Sequence, residues 1–106
     1  MTHPPGSTPW TETEVGTDSG ATVEHALVAG RTHFVTSVSG HTDADATLQI
    51  LDGETVRAEF RIDVSLEGFQ FKPWEGCIPI TPETACSVII SASAADCQVN
   101  IGGYTI

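Results

Sequence analysis

Positive charge is scarce in this chain of 106 residues, which has four lysines and arginines against fourteen aspartates and glutamates. The formal net charge is therefore -10. Proteins that bind nucleic acid neutralise phosphates with a basic surface, so the composition argues strongly against a nucleic-acid partner. Anionic membranes would also repel the chain. Solubility accounts for the acidity, and a basic partner protein is the alternative explanation.

Long apolar runs are missing as well. No stretch approaches the ~18 apolar residues of a membrane-spanning helix. The N-terminus lacks the basic segment and apolar run of a secretion signal. We therefore expect a protein that is made in a cytoplasm and has no membrane partner.

Cysteine is limited to Cys77, Cys86 and Cys97, an odd number without Cys-x-x-Cys spacing. This pattern argues against a disulfide framework and against a zinc site. All three cysteines have apolar neighbours in the sequence, so we expect reduced cysteines in the core.

Catalytic motifs are also absent from the sequence. It has no Gly-x-Ser-x-Gly, no glycine-rich phosphate loop and no cysteine in a polar, activating context. We predict that the protein is not an enzyme and needs no cofactor or metal.

Two histidine-containing sets are the places where a metal could bind. In the first, His41, Asp43 and Asp45 alternate in a loop as cation ligands can, but the glycine and distal glutamate of a calcium loop are missing, which favours a solvated turn. In the second, His25 and His33 lie on adjacent predicted strands. Their approach would form a metal pair, a pH-sensitive contact or an ordinary structural pair.

A hairpin is predicted where two alternating segments flank Asp52-Gly53. Thr55 to Val64 alternates polar and apolar residues without a fault, and Ala46 to Ile50 does the same. A three-residue loop, Leu51 to Gly53, pairs Leu48 with Val56 and Ala46 with Ala58. It also places Gly53 in the left-handed conformation.

The remaining strands are predicted over 22–28, 32–39, 68–71, 77–80, 86–93 and 97–105. Pro79 assigns its strand to a sheet edge. The last two strands are expected to form a hairpin around Ala94-Ala95, with Ile90 opposite Val99. About eight short strands without a helix predict an all-β, antiparallel β-sandwich or jelly roll. The expected core consists of Leu48, Ile50, Val56, Phe60, Ile62, Ile90, Val99 and Ile101.

Residues 1–20 differ in composition from the predicted sandwich domain, residues 21–106. They are rich in threonine, proline and glycine and show no apolar periodicity, so we expect an extended N-terminal arm. Within the arm, the expected partner-binding residues are Pro4, Pro5, Thr8, Pro9 and Trp10. Trp10 is expected to anchor in a pocket of the partner, with folding back on its own domain as the alternative.

Aromatic residues cluster once more at Phe69, Phe71 and Trp74. Two interpretations stay open for this cluster. It is either ordinary core or a subunit interface, where large aromatic side chains are enriched.

Three segments carry a resemblance to a known class of protein. They are Gly-Arg-Thr-His-Phe-Val-Thr-Ser-Val-Ser at 30–39, Leu-Gln-Ile-Leu-Asp-Gly-Glu-Thr-Val at 48–56 and Gly-Gly-Tyr-Thr-Ile at 102–106. With the alternating strand between them, the chain from about Gly30 onward resembles small head proteins of tailed bacteriophages, in particular capsid decoration (cement) proteins.

The resemblance implies a β-structured module on the outer surface of the virion. Such modules are commonly homotrimers and reinforce contacts between major capsid protein subunits, here through the arm. One alternative is a tail or tail-fibre module that binds glycans or a receptor, which predicts an exposed aromatic shelf. Another is a metal-dependent or glycan-processing enzyme, which predicts that His25, His33 and acidic side chains share a cleft.

Overall fold

The structure, a computed structural model, describes residues 5–16, 20–42, 44–62, 70–92 and 97–106, with only the backbone of 70–74 and 92. The described residues are all-β, as predicted, and form eight strands. These are β1 (Thr8–Gly16), β2 (Ala21–His25), β3 (His33–Thr42), β4 (Ala46–Asp52), β5 (Thr55–Ile62), β6 (Gln70–Pro79), β7 (Cys86–Ala92) and β8 (Cys97–Thr105). Within these ranges, no helix has the length and apolarity needed to cross a membrane.

The strands form two antiparallel sheets of four strands each within the described ranges. Sheet A has the order β1-β8-β3-β6, and sheet B has the order β2-β7-β4-β5. The sheets pack face to face, as in a β-sandwich. Strand β6 lies at the edge of sheet A, where Pro79 was expected, although one continuous strand replaces the two short ones predicted.

One apolar core fills the space between the sheets. Its members come from both sheets and include Leu48, Ile50, Ile62, Ile90, Val99 and Ile101, all at most 1% exposed. Six of the eight predicted core residues are thus confirmed as fully buried. Gly40 on β3 lets the sheets approach here, because a Cβ atom at this position would clash with Leu48 of sheet B.

The β4–β5 hairpin has a different register from the predicted one. Asp52 pairs with Thr55 across a two-residue turn, and Leu48 pairs with Phe60 instead of Val56. A β-bulge at Arg57 absorbs one residue and brings the apolar faces of the two strands back into phase. The three-residue loop was therefore wrong, although Gly53 does adopt the left-handed conformation, with a φ of 59°.

The bulge also corrects the two remaining core assignments. Val56 is 44% exposed, and Phe60 is only partly buried against the core. Arg57 donates a hydrogen bond to Asp52 (Nη1 to Oδ2, 3.0 Å), and Asp52 is 8% exposed. This ion pair gives a physical reason for the bulge at Arg57.

The expected hairpin between the last two strands is wrong. Strand β7 pairs with β2 and β4 in sheet B, whereas β8 pairs with β1 and β3 in sheet A. Ile90 and Val99 are buried as expected, but they enter the one core from opposite sheets and do not lie side by side in one sheet. The predicted turn residues Ala94 and Ala95 lie outside the described residues.

The N-terminal arm requires the largest correction. Residues Thr8–Gly16 form β1, which pairs with β8 along its whole length, from Thr8–Thr105 to Gly16–Cys97. This segment is therefore an edge strand of the sandwich and not an extension away from it. Its β-branched residues at positions 11, 13 and 15 alternate with Trp10, Glu12 and Glu14, a pattern that suits a half-buried strand.

Candidate functional site

The predicted partner-binding residues of the N-terminal segment have different environments. Pro4 lies outside the described residues. Pro5, Thr8 and Pro9 are exposed. Trp10 is partly buried against the core, so its predicted insertion into a partner's pocket is corrected in favour of the alternative, folding back on its own domain.

Trp10 forms an aromatic cluster with His25 and His33. Its ring stacks on His25 with centroids 3.9 Å apart and an interplanar angle of 12°. It meets His33 edge-on at 5.7 Å, and the two imidazole rings lie 4.5 Å apart. The predicted approach of the two histidines is confirmed, whereas their contact with Trp10 of β1 was not predicted.

Hydrogen bonds define the protonation of this cluster. Trp10 Nε1 donates to Thr105 Oγ1 (3.0 Å), which lies 2.6 Å from His33 Nδ1. His33 Nε2 is 2.7 Å from the carbonyl oxygen of Ala26 and must donate to it, because a carbonyl only accepts. In the neutral form of His33 the proton is therefore on Nε2, and Nδ1 accepts the hydroxyl proton of Thr105.

The environment of His33 disfavours its charged form. Burial lowers the pKa of His33 below its ordinary 6.5, the hydrogen bond to Ala26 acts in the opposite direction, and nearby His25 lowers it further. Protonation therefore favours the unfolded chain. His33 contributes stability that is present above pH 6.5 and is lost as the pH falls through the lowered pKa.

The cluster also connects the two sheets. His25 of sheet B donates through Nδ1 to Glu12 Oε2 of sheet A at 2.8 Å. We call Trp10, Glu12, His25, His33 and Thr105 the aromatic clasp. Among the residues that the structure describes, no group of three or more histidine, cysteine, aspartate or glutamate side chains is placed to hold a metal ion.

An apolar surface surrounds the clasp at one end of the sandwich. A cavity of about 300 Å³ opens there, lined by Thr8, Trp10, His25, Val28, Arg31 and Thr105. Beside it, Leu27, Val28 and Ile106 are 54%, 45% and 47% exposed. These three residues, which we call the end patch, lie at the same end of the sandwich, because Thr32 exchanges two backbone hydrogen bonds with Ile106, just after the turn from Val28 to Arg31.

Arg31 gives this end of the protein a positive charge. It lines the cavity, and its guanidinium forms no ion pair with any residue that the structure describes. The end patch and Arg31 together form an apolar surface with one available cation, on a chain whose net charge is -10.

The predicted aromatic interface is only partly within the described residues. Phe69 lies outside them, and Phe71 and Trp74 belong to β6, where the structure describes the backbone alone. Their backbones pair with His41 and Val38 of β3. Their role as core or interface stays a prediction.

The predicted cation loop cannot be assembled from described residues. His41 lies on β3 and Asp45 is exposed, whereas Asp43 lies outside the described residues. The hydroxyl group of Thr42 donates to the carbonyl oxygen of Ala44 and accepts from its amide.

None of the three cysteines is in a disulfide, and their environments differ. Cys86 and Cys97 are buried as predicted, and burial raises the pKa of Cys86 to about 12. Cys77 is exposed on edge strand β6, with Sγ 3.9 Å from the hydroxyl of Tyr104. Its assignment to the core was therefore wrong.

The sequence matches no known protein-family model, and no curated protein matches it significantly.

Proposed function

We infer that the sandwich is a jelly roll. Strand β1 pairs with β8, β2 with β7, β3 with β6 and β4 with β5. These four pairs are the ones expected when a long hairpin, with β4–β5 at its tip, rolls up into two layers. Jelly rolls occur in viral capsid proteins and in lectin domains.

We propose that the protein is a structural virion protein, a decoration protein on the outer surface of a phage head. It stabilises contacts between major capsid protein subunits, acts as a homotrimer and is made in the host cytoplasm. The observation that carries the proposal is the end patch, because three large apolar residues exposed at one end of a small protein, beside an apolar cavity, suit an interaction surface. The resemblance to phage head proteins supports the identity of the partner.

In the proposed docking mode, the protein binds the capsid mainly through the end patch and not through an extended arm of residues 1–20. Residues 1–7 precede Thr8, which lines the cavity beside the end patch. Leu27, Val28 and Ile106 would bury against a capsid subunit, and Arg31 would pair with one of its carboxylates. The three copies in a trimer bind together, so avidity strengthens modest single contacts by roughly 10²–10⁴.

The first test is co-sedimentation with undecorated heads assembled from the major capsid protein of the same phage. The double variant Leu27→Asp/Val28→Asp should lose binding at least tenfold, because two carboxylates would be desolvated in an apolar interface. The matched control is Val56→Asp, which changes a valine of similar exposure, 44%, on β5. It should bind as the unchanged protein does.

Two results would contradict the proposal in different ways. If the unchanged protein fails to co-sediment with the heads, the decoration function is wrong. If the protein binds but the double variant binds equally well, the function stands and the end patch is not the docking surface. Removal of residues 1–7 alone measures how much these residues add to the affinity.

A further inference from the structure

The outer face of sheet A carries a trough that the proposed docking surface does not use. Two cavities of about 360 and 340 Å³ lie there and share Thr11, Ser37, Glu75 and Gly102 as lining residues. Because they share these residues, the cavities are two parts of one continuous trough across strands β1, β8, β3 and β6. The end patch lies outside its lining.

Gly102 creates the floor of the trough. It stands between Thr11 and Ser37 in the register of the sheet. A Cβ atom at this position would lie 2.6 Å from Ser37 Oγ and 3.3 Å from Thr11 Cγ2. The bare backbone of Gly102 therefore lets the side chains of Ser37 and Thr11 close over it, and their two hydroxyl groups form the polar floor of the trough.

A fixed ladder of polar groups continues the trough along the sheet. Thr13 Oγ1 donates to Asn100 Oδ1 at 2.7 Å, and Asn100 Nδ2 donates to Ser39 Oγ at 2.9 Å. Among the described residues, no acceptor is shown for the second amide proton of Asn100 or for the hydroxyl proton of Ser39, so both can be donated to a ligand. Glu75, which is exposed, adds two carboxylate acceptors at the rim.

An apolar row borders the polar trough. The register aligns Pro9, Tyr104, Phe34 and Pro79 across the four strands of sheet A. Phe34 and Tyr104 stack with ring centroids 4.9 Å apart and an interplanar angle of 17°. The outer face therefore presents hydroxyl, amide and carboxylate groups directly beside an aromatic and proline surface.

We propose that this face binds a short neutral oligosaccharide. A pyranose has C–H-rich faces that suit the row of Phe34 and Tyr104, and hydroxyl groups that suit both donors and acceptors of the trough. The charged residues in the lining, Glu12 and Glu75, are both acidic, so anionic ligands are disfavoured. A neutral ligand with hydroxyl groups and apolar faces combines these properties.

The test begins with the full chain on an array of defined neutral oligosaccharides of glucose, galactose, mannose and N-acetylglucosamine. The best of these is then titrated by calorimetry and by amide chemical shifts. We expect a dissociation constant of about 1 mM or tighter, with shifts at Thr11, Ser39 and Gly102. Glu75→Ala should weaken binding at least tenfold, whereas the control Glu59→Ala, an exposed glutamate of sheet B, should not.

Ser37→Trp provides a second variant, because its exposed position allows a large side chain to fill the trough without touching the core. It should abolish binding while circular dichroism stays unchanged; should it fail to fold, Glu75→Ala alone decides. The proposal is overturned if no oligosaccharide binds, if shifts map to sheet B, or if Glu75→Ala and Glu59→Ala behave alike. Head binding is measured independently at the end patch, so either proposal can fail without the other.

Discussion

Replacing Thr105 with valine should destabilise the protein strongly although the two side chains have nearly the same shape. The Thr105 hydroxyl is the only atom joining Trp10 Nε1 (3.0 Å) to His33 Nδ1 (2.6 Å) in the part of the chain that the structure describes. Valine leaves both nitrogens without this partner. Because His33 is 2% exposed, the loss of the hydrogen bond at its Nδ1 costs about 1–3 kcal/mol. The loss of the hydrogen bond at the partly exposed indole of Trp10 adds about 1 kcal/mol at most. We expect a total of about 1–4 kcal/mol.

Thr105→Ser is the matched control, because it keeps the hydroxyl and removes one methyl group, at a cost of about 1 kcal/mol. Urea unfolding followed by far-ultraviolet circular dichroism measures both variants. A shift of the midpoint at constant slope reports a change in stability alone. If valine costs no more than serine, the hydrogen-bonded chain through Thr105 does not stabilise the clasp.

Three further predictions concern the pH, the thiols and the core. Unfolding free energy should fall as the pH drops below 6.5, and His33→Gln should reduce this loss; an unchanged pH profile would exclude His33 as its source. Native protein should expose one thiol, Cys77, to a disulfide reagent and the other two only in denaturant; rapid reaction of all three would contradict the burial. Leu48→Ala should lower the unfolding free energy by about 2–5 kcal/mol, and by more than Phe60→Ala does, because Phe60 is only partly buried. Equal losses in urea unfolding would count against the observed register.

The strands and most of the core could be predicted from alternation, but the pairing of strands could not. The segments 86–93 and 97–105 alternate correctly and are close in sequence, which favours a hairpin on local grounds. Their assignment to opposite sheets depends on β1 and β3, which pair with β8. The pairing of β8 with these two distant strands cannot be predicted from the alternation within either segment.

The register of the β4–β5 hairpin shows the same limit at a smaller scale. Strict alternation rules out a slip of one residue, but a bulge reverses that rule at one point. The bulge at Arg57 accompanies contacts of Asp52 with Arg57 and with Thr81, the latter 29 residues away. The contact with Thr81 cannot be predicted from the sequence of the hairpin.

Part of the candidate site could be predicted from the sequence. Alternation on neighbouring strands brought His25 and His33 together, but Trp10 was assigned to a free arm because its segment lacks apolar periodicity. The threonines and valine at positions 11, 13 and 15 carried the strand signal that would have corrected this. For Cys77, alternation with buried Ile80 and half-buried Ile78 indicates the outer face, a signal masked by its apolar neighbours.

The proposed role on the capsid is tested most directly by an electron cryo-microscopy reconstruction of the phage virion. We expect density for an eight-stranded sandwich on the outer surface of the head, at joints between major capsid subunits. The end that carries Leu27, Val28 and Ile106 should face the shell. Density for this sandwich in the tail, or on the head with that end facing solvent, would contradict it.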